Sequence, residues 1–216
     1  MAQRIFKGEI KGKIVEVRFA LAGKVIRLAK KAGEMVRKGE LLASLEKKIF
    51  QTELDRQLAD YEKTRAEFEI FNLQKGEPKD DLTKYLKAEK QAQLNASVKE
   101  VELAKARLDQ TDLFSPVEGV ILDDSNLVPE IYITPASYSF KILERESLWF
   151  EAEISQEDIS FFGQPRQGEV DIFGIGKQPV ISGPVFADGN RFFLRLELPN
   201  KEGILLGMKG EGRWEE

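Results

Sequence analysis

Two arms of heptad-spaced apolar residues, joined by a helix-breaking turn, occupy the middle of this chain from Lys47 to Thr111 and constrain everything around them. On the outgoing arm Leu54, Leu58, Tyr61 and Phe68 alternate four and three residues apart, with Arg65 in the gap. On the return arm Leu94, Val98, Val101 and Leu108 repeat the pattern, with Lys105 in the corresponding gap. That spacing keeps one stripe of a helix against one partner, as in a coiled coil. Between the arms lies Asn72-Leu73-Gln74-Lys75-Gly76-Glu77-Pro78-Lys79-Asp80-Asp81, where Gly and Pro break helix and Asn and Asp favour turns. The arms are therefore expected as antiparallel neighbours joined at a tip. About 25 residues per arm at about 1.5 Å of rise give a rod of roughly 35–40 Å.

A heptad stripe alone says only that two helices share a buried seam, so function must come from the attached segments. Charges along both arms are mixed in sign, the pattern of a solvated face, and form no basic track for a nucleic-acid backbone. The formal net charge of −4 argues against nucleic-acid binding and gives no polybasic patch for anionic lipid. The absence of cysteine excludes disulfides, thiolate metal sites and cysteine nucleophiles, and fits an oxidising compartment. The absence of histidine removes the commonest general base and metal ligand. The first eight residues, Met1 to Gly8, hold no apolar run long enough for a signal peptide or membrane span. Either the protein is cytoplasmic, or this is a soluble piece whose targeting segment is missing.

Outside the rod the periodicity changes to two. From Gly8 to Arg18, Ile10, Gly12, Ile14, Val15, Val17 and Phe19 alternate against Lys11, Lys13, Glu16 and Arg18, which predicts a strand with one buried face. Ala22-Gly23 turns the chain into Lys24–Leu28. Gly33 and Gly39 then bracket a short apolar-centred strand, followed at once by Leu41–Leu45. After the rod, Pro116 ends any helical reading and Gly119 permits a turn. Further strands are expected near Asn126–Pro135, Tyr138–Leu143, Ser147–Ile154, Gly168–Phe173, Pro179–Val185 and Phe192–Leu198. Ser155, with Asp158 three residues on, predicts a capped short helix running to Phe162-Gly163.

Gly23-Lys24-Val25, Gly33-Glu34-Met35-Val36-Arg37-Lys38-Gly39 and Leu41-Leu42 resemble the first half of a lipoyl or biotinyl domain. Thr111-Asp112-Leu113-Phe114-Ser115-Pro116-Val117-Glu118-Gly119-Val120-Ile121 resembles the stretch with which such a domain resumes. In that family the cofactor-bearing lysine follows a glutamate at fixed spacing. Counted from Glu46, the acceptor register falls on Ile49, and Lys48 is one place off, so no attached cofactor is expected. The family often has glycines near Pro129-Glu130 and Thr134-Pro135; their absence here implies different turns.

A split lipoyl-like domain with a helical hairpin at the acceptor position is similar to the membrane-fusion proteins, the periplasmic adaptors of haemolysin-D type in efflux pumps and secretion systems. The C-terminal order of strand, short helix and strands, closed by Leu205-Leu206-Gly207-Met208, resembles their small β-barrel. The resemblance implies a mainly β chain with a long α-helical hairpin in three parts. Residues 1–18 with 145–216 form the β-barrel, 19–46 with 113–144 the split lipoyl-like sandwich, and 47–112 the inserted antiparallel coiled coil. It further implies a non-catalytic adaptor linking an inner-membrane transporter to an outer-membrane channel and self-associating into a ring. Such a protein is periplasmic and anchored to the inner membrane by a segment outside this chain. An end at Glu216 is too early for the extra membrane-proximal domain of the resistance-pump branch, and the resemblance then implies the branch that works with ATP-driven or other non-proton-motive transporters. The candidate partner site is the tip, Leu73, Gln74, Lys75, Gly76, Glu77, Pro78, Lys79, Asp80 and Asp81, being furthest from the β segments. The family's arginine–leucine–serine docking pattern is not evident between Phe68 and Leu86.

Two other classes compete. A lipoyl or biotinyl carrier is disfavoured by Ile49, and Met208-Lys209 lacks the second methionine of a biotin acceptor, with Gly210 in its place. A β-barrel enzyme is disfavoured by the missing histidine and cysteine. Asp80-Asp81 and Asp123-Asp124 read as turn residues, with no third acid to complete a cation site. Gly174-x-Gly176 has no helix pattern after it and is no dinucleotide fingerprint. Trp149 and Trp214 read as barrel packing.

Overall fold

A computed structural model describes residues 3–77 and 80–215. In chain order, five strands open the fold: β1 (Gln3–Lys11), β2 (Ile14–Val17), β3 (Gly23–Leu28), β4 (Met35–Val36) and β5 (Leu41–Leu45). Two long helices follow, α1 (Lys48–Lys75) and α2 (Asp81–Asp109). Then come β6 (Asp112–Phe114), β7 (Gly119–Asp123), β8 (Tyr132–Ile133), β9 (Phe140–Glu144) and β10 (Trp149–Ile154). After one 3₁₀ turn at Gln156–Asp158, the chain ends with β11 (Gln167–Ile172), β12 (Gly176–Asp188), β13 (Arg191–Glu197) and β14 (Lys209–Glu215). The chain divides into two compact units, Met1–Glu16 with Val117–Leu122 and Lys141–Glu216, and Val17–Pro116 with Asp123–Phe140.

The first unit contains a closed six-stranded barrel in the order β1-β10-β13-β12-β11-β14. Alternation builds it: Phe6 and Ile10, Phe150 and Ala152, Val170 and Ile172, and Leu194 and Leu196 all point inward and are buried. Each fully buried large side chain contributes roughly 1.5–3 kcal/mol. Trp214 closes the core at 1% exposure, and a Cβ on Gly168 would stand 2.3 Å from its indole nitrogen. The strand expected from Gly8 to Arg18 is instead two. It breaks at Gly12, where a Cβ would meet Leu143 at 2.6 Å, and the Lys13 N–H donates to the Ser147 hydroxyl at 2.8 Å. In this unit β2, β9 and β7 lie side by side.

The capped helix expected from Ser155 is reduced to a single 3₁₀ turn. The Ser155 hydroxyl donates to the Asp158 carboxylate at 2.6 Å and caps no backbone N–H. Phe162 turns into the barrel, edge-on to Phe6 at 5.5 Å and to Trp214 at 5.1 Å, so core packing overrides the helical signal. Phe161 is partly buried against the same core, edge-on to Phe162 at 5.0 Å, with the guanidinium groups of Arg4 and Arg166 at 4.7 and 4.1 Å from its ring.

In the second unit a four-stranded sheet runs β6-β5-β3-β8. It joins pieces of chain from before and after the helices: Leu41 pairs with Phe114, Val25 with Leu45, and Gly23 with Ile133. Val25, Leu42, Leu45, Leu127 and Ile133 are buried. The turn before β8 does differ in kind: Glu130 takes φ +74°, and Ser125 and Asn126 each take +53°, a region that glycine usually serves. Asp123 and Asp124 support this turn by accepting from the backbone of Ser125 and Asn126.

The helices are 28 and 29 residues long, which at about 1.5 Å per residue is roughly 42 Å each. They run alongside in opposite senses, with Lys90 3.7 Å from Glu67 and Arg107 acting on Glu53. The seam keeps Leu54, Tyr61 and Phe68 but fills the intervening places with Gln57 and Thr64, while Leu58 is 39% exposed and Arg65 faces solvent. On α2 it keeps Leu94, Val101 and Leu108 and adds Ser97 and Ala104; Val98 is half-buried and Lys105 exposed. The three-then-four step from Leu54 prevails over the four-then-three step that Leu58 suggested. Ala104 is the buried residue of the pair, because two helices shield each other on one side only.

The far end of the helices as a candidate interaction surface

The helices end where local chemistry requires. Gly76 takes φ +62° and its N–H donates to the Asn72 carbonyl at 2.9 Å, a C-terminal stop that glycine reaches without a Cβ penalty. Asp80 adopts extended backbone and its carboxylate accepts the Thr83 N–H at 2.7 Å, an N-cap for α2. That bond holds the Asp80 carboxyl below its ordinary range. Asp80 is thus a structural cap as well as a tip residue.

Of the nine expected tip residues, Pro78 and Lys79 lie outside the described residues. Leu73, Gln74, Lys75, Gly76, Glu77, Asp80 and Asp81 are all exposed, and Leu73 is 86% so. Sequence reasoning stopped short of three neighbours. Leu82 is 70% exposed, Tyr85 72% and Ile70 52%. All three fall off the seam, which on α2 starts at Thr83 and continues through Lys87 and Lys90. Extending the 83-87-90-94 spacing back to the Asp80 cap would have found Leu82 and Tyr85. Ile70, Leu73, Leu82 and Tyr85 lie within about three turns of the helix ends along the chain, and exposed apolar side chains mark a contact surface where they form a contiguous patch.

At the near end, Lys48 and Ile49 both lie in the first turn of α1. Ile49 is 75% exposed beside a hollow of about 570 Å³ lined by Phe50, Glu53, Arg56, Ala104 and Arg107. The cofactor-acceptor register therefore holds an apolar helical residue. On the barrel wall, Glu9 and Glu151 are direct cross-strand partners, and Lys11 beside Glu9 lowers its pKa. Among the described residues no three acidic side chains are grouped to hold a metal ion, and no helix is long and apolar enough to cross a membrane.

No family model matches the sequence, and no curated protein matches it. Solved structures do. A MacA–MexA chimera carrying the MexA α-hairpin domain of Pseudomonas aeruginosa superposes with TM-score 0.82 at 19% identity, over 98% of this chain and 80% of that one. The membrane fusion protein Spr0693 of Streptococcus pneumoniae R6 gives 0.80 at 14% identity, over 97% and 98%. ZneB of Cupriavidus metallidurans gives 0.61 at 19% identity, over 99% and 98%. The mainly β fold, with its six-stranded barrel and two inserted helices, is the fold of these proteins.

Proposed function

We propose that this chain is an adaptor subunit of an efflux or secretion assembly, linking an inner-membrane transporter to an outer-membrane channel without catalysis. The observation that carries the reading is the likeness to solved structures that include a membrane fusion protein and a periplasmic adaptor protein, along 97% and 98% of the chain. A pair of helices inserted between two paired strands of one sheet supports the mechanical part of it. In this reading β3–β5 and β6–β9 belong to a split lipoyl-like domain that carries no cofactor, and α1 with α2 is a helical hairpin serving as spacer. The far end, Leu73 to Asp81 with Ile70, Leu82 and Tyr85, meets the channel. The β segments meet the transporter and neighbouring copies in an extracytoplasmic ring. Such contacts are head-to-tail, and a ring closes only if the rotation between copies is right.

Capture by the tagged channel and, separately, by the tagged transporter tests it. Leu73→Asp with Tyr85→Asp, both at exposed positions, should weaken channel capture at least roughly tenfold, about 1.4 kcal/mol, and leave transporter capture intact. Undiminished channel capture would make the far end a turn and nothing more.

A further inference from the structure

The connection between the sheet and the helices is short on both sides. Only Glu46 and Lys47 separate β5 from α1, and Gln110 and Thr111 separate α2 from β6. The Leu45 N–H donates to the Thr111 carbonyl at 2.8 Å, and the Glu46 N–H to the Lys24 carbonyl at 2.8 Å. Thr111 is fully buried, and its hydroxyl donates to the Leu108 carbonyl at 2.6 Å, tying the last turn of α2 to the sheet. At this level one cross-strand row runs over three strands: Arg27 pairs with Ser44, and Ser44 with Asp112. A register shift falls next to this row in one ladder, between Val25 and Arg27, and one pair away in the other, between Leu41 and Ala43. Bulges of this kind re-aim side chains.

Asp112 is where these groups converge. Its carboxylate accepts from the Lys47 ammonium at 2.5 Å, and Arg27 and the buried Ser44 stand in its cross-strand row. Lys47 stands at the N-cap position of α1 but caps nothing, and the first turn of α1 holds no acid. The residue at that position ties the entry strand to the exit strand instead.

We infer that Asp112, with Lys47, Ser44 and Arg27, is a latch that fixes the direction in which the helices leave the sheet. Asp112 is a positioning residue: its loss frees the helices to swing while sheet and helices stay folded. On a lever of about 40 Å, a swing of about 10° moves the far end by about 7 Å, enough to take Leu73 and Tyr85 out of register with a partner. The consequence for docking rests on the spacer reading; the latch does not.

The absence of native cysteine allows a direct measurement on the full chain. Spin labels go on Tyr132→Cys in β8 and Glu62→Cys in α1, both exposed, and the inter-label distance distribution is recorded by pulsed electron resonance. The parent should give one narrow distribution. Asp112→Asn should broaden it roughly twofold with far-ultraviolet dichroism unchanged. Lys47→Ala, at an exposed position, should broaden it too and covers the case in which Asp112→Asn impairs folding. A broad parent distribution, or a Lys47→Ala distribution as narrow as the parent, overturns the latch. A narrow parent distribution with broadened variants, but no channel capture by the parent, would instead overturn the spacer reading and leave the latch standing.

Discussion

Excising the helices while leaving their roots should leave the sheet intact. In the variant, Lys48–Asp109 is replaced by about four glycine and serine residues joining Lys47 to Gln110. The chain ends already meet there, through the Leu45–Thr111 backbone bond and the Lys47–Asp112 pair. The loop that pairing β5 with β6 must close shortens from roughly 65 to roughly 8 residues, three halvings at about 0.6 kcal/mol each, or about 1.8 kcal/mol in favour of the sheet. Against this stands the loss of the Thr111–Leu108 hydrogen bond, about 1 kcal/mol. The difference is about 0.8 kcal/mol in favour of the variant, so local stability should stay within about 1 kcal/mol of the parent. Hydrogen exchange at the amides of Val25, Leu45 and Ser115 reads it, because their acceptors, Ile131, Thr111 and Glu40, are sheet or loop groups retained in the variant. Neither tryptophan lies in this unit, so fluorescence would miss the event. Loss of protection at all three amides would refute the idea that the two pieces of chain form a sheet without the helices between them.

Other changes probe the barrel and the seam. Gly168→Ala should destabilise by about 1–3 kcal/mol, seen as a lower melting temperature by tryptophan fluorescence, since its Cβ would be pressed to 2.3 Å from the Trp214 ring. For Asp158, burial works to raise the pKa, but hydrogen bonds from Ser155 and Arg4 bring it below the ordinary 3.8. The stability from this lowered pKa is present above 3.8 and lost as pH falls through the native value. Asp158→Asn should flatten the acid limb of a stability–pH curve. In the seam, Val101→Asp should cost several kcal/mol by placing a charge against α1. Leu58→Asp, at 39% exposure, should cost less than about 1 kcal/mol because its carboxylate reaches water; equal losses in thermal melting would restore the seam first read from the sequence.

Much of this was legible in the residues. The breakers Gly76 and Asp80 fall where the helices end, and inward alternation on β10 and β13 marks barrel strands. Heptad spacing identified Leu54, Tyr61, Phe68, Leu94, Val101 and Leu108. It misassigned Leu58, Arg65 and Lys105, since which residue fills the second seam position depends on how the helices cross, and Gln57, Thr64 and Ala104 carry no apolar signal strong enough to compete. Glu130 could not be foreseen at positive φ, because the sequence signal for that conformation is glycine. The helix expected at Ser155 was cancelled by Phe162, whose pull into the barrel comes from Phe6 and Trp214 at the chain's two ends. Nor could the Lys47–Asp112 contact be read, as its members belong to segments that meet only after the helices have folded back.

The most direct measurement is affinity purification of the tagged full chain from native membranes, with the recovered proteins identified by mass spectrometry. The adaptor reading predicts one complex containing several copies of this chain, an inner-membrane transporter and an outer-membrane channel. Recovery of folded chain with neither membrane partner would contradict it.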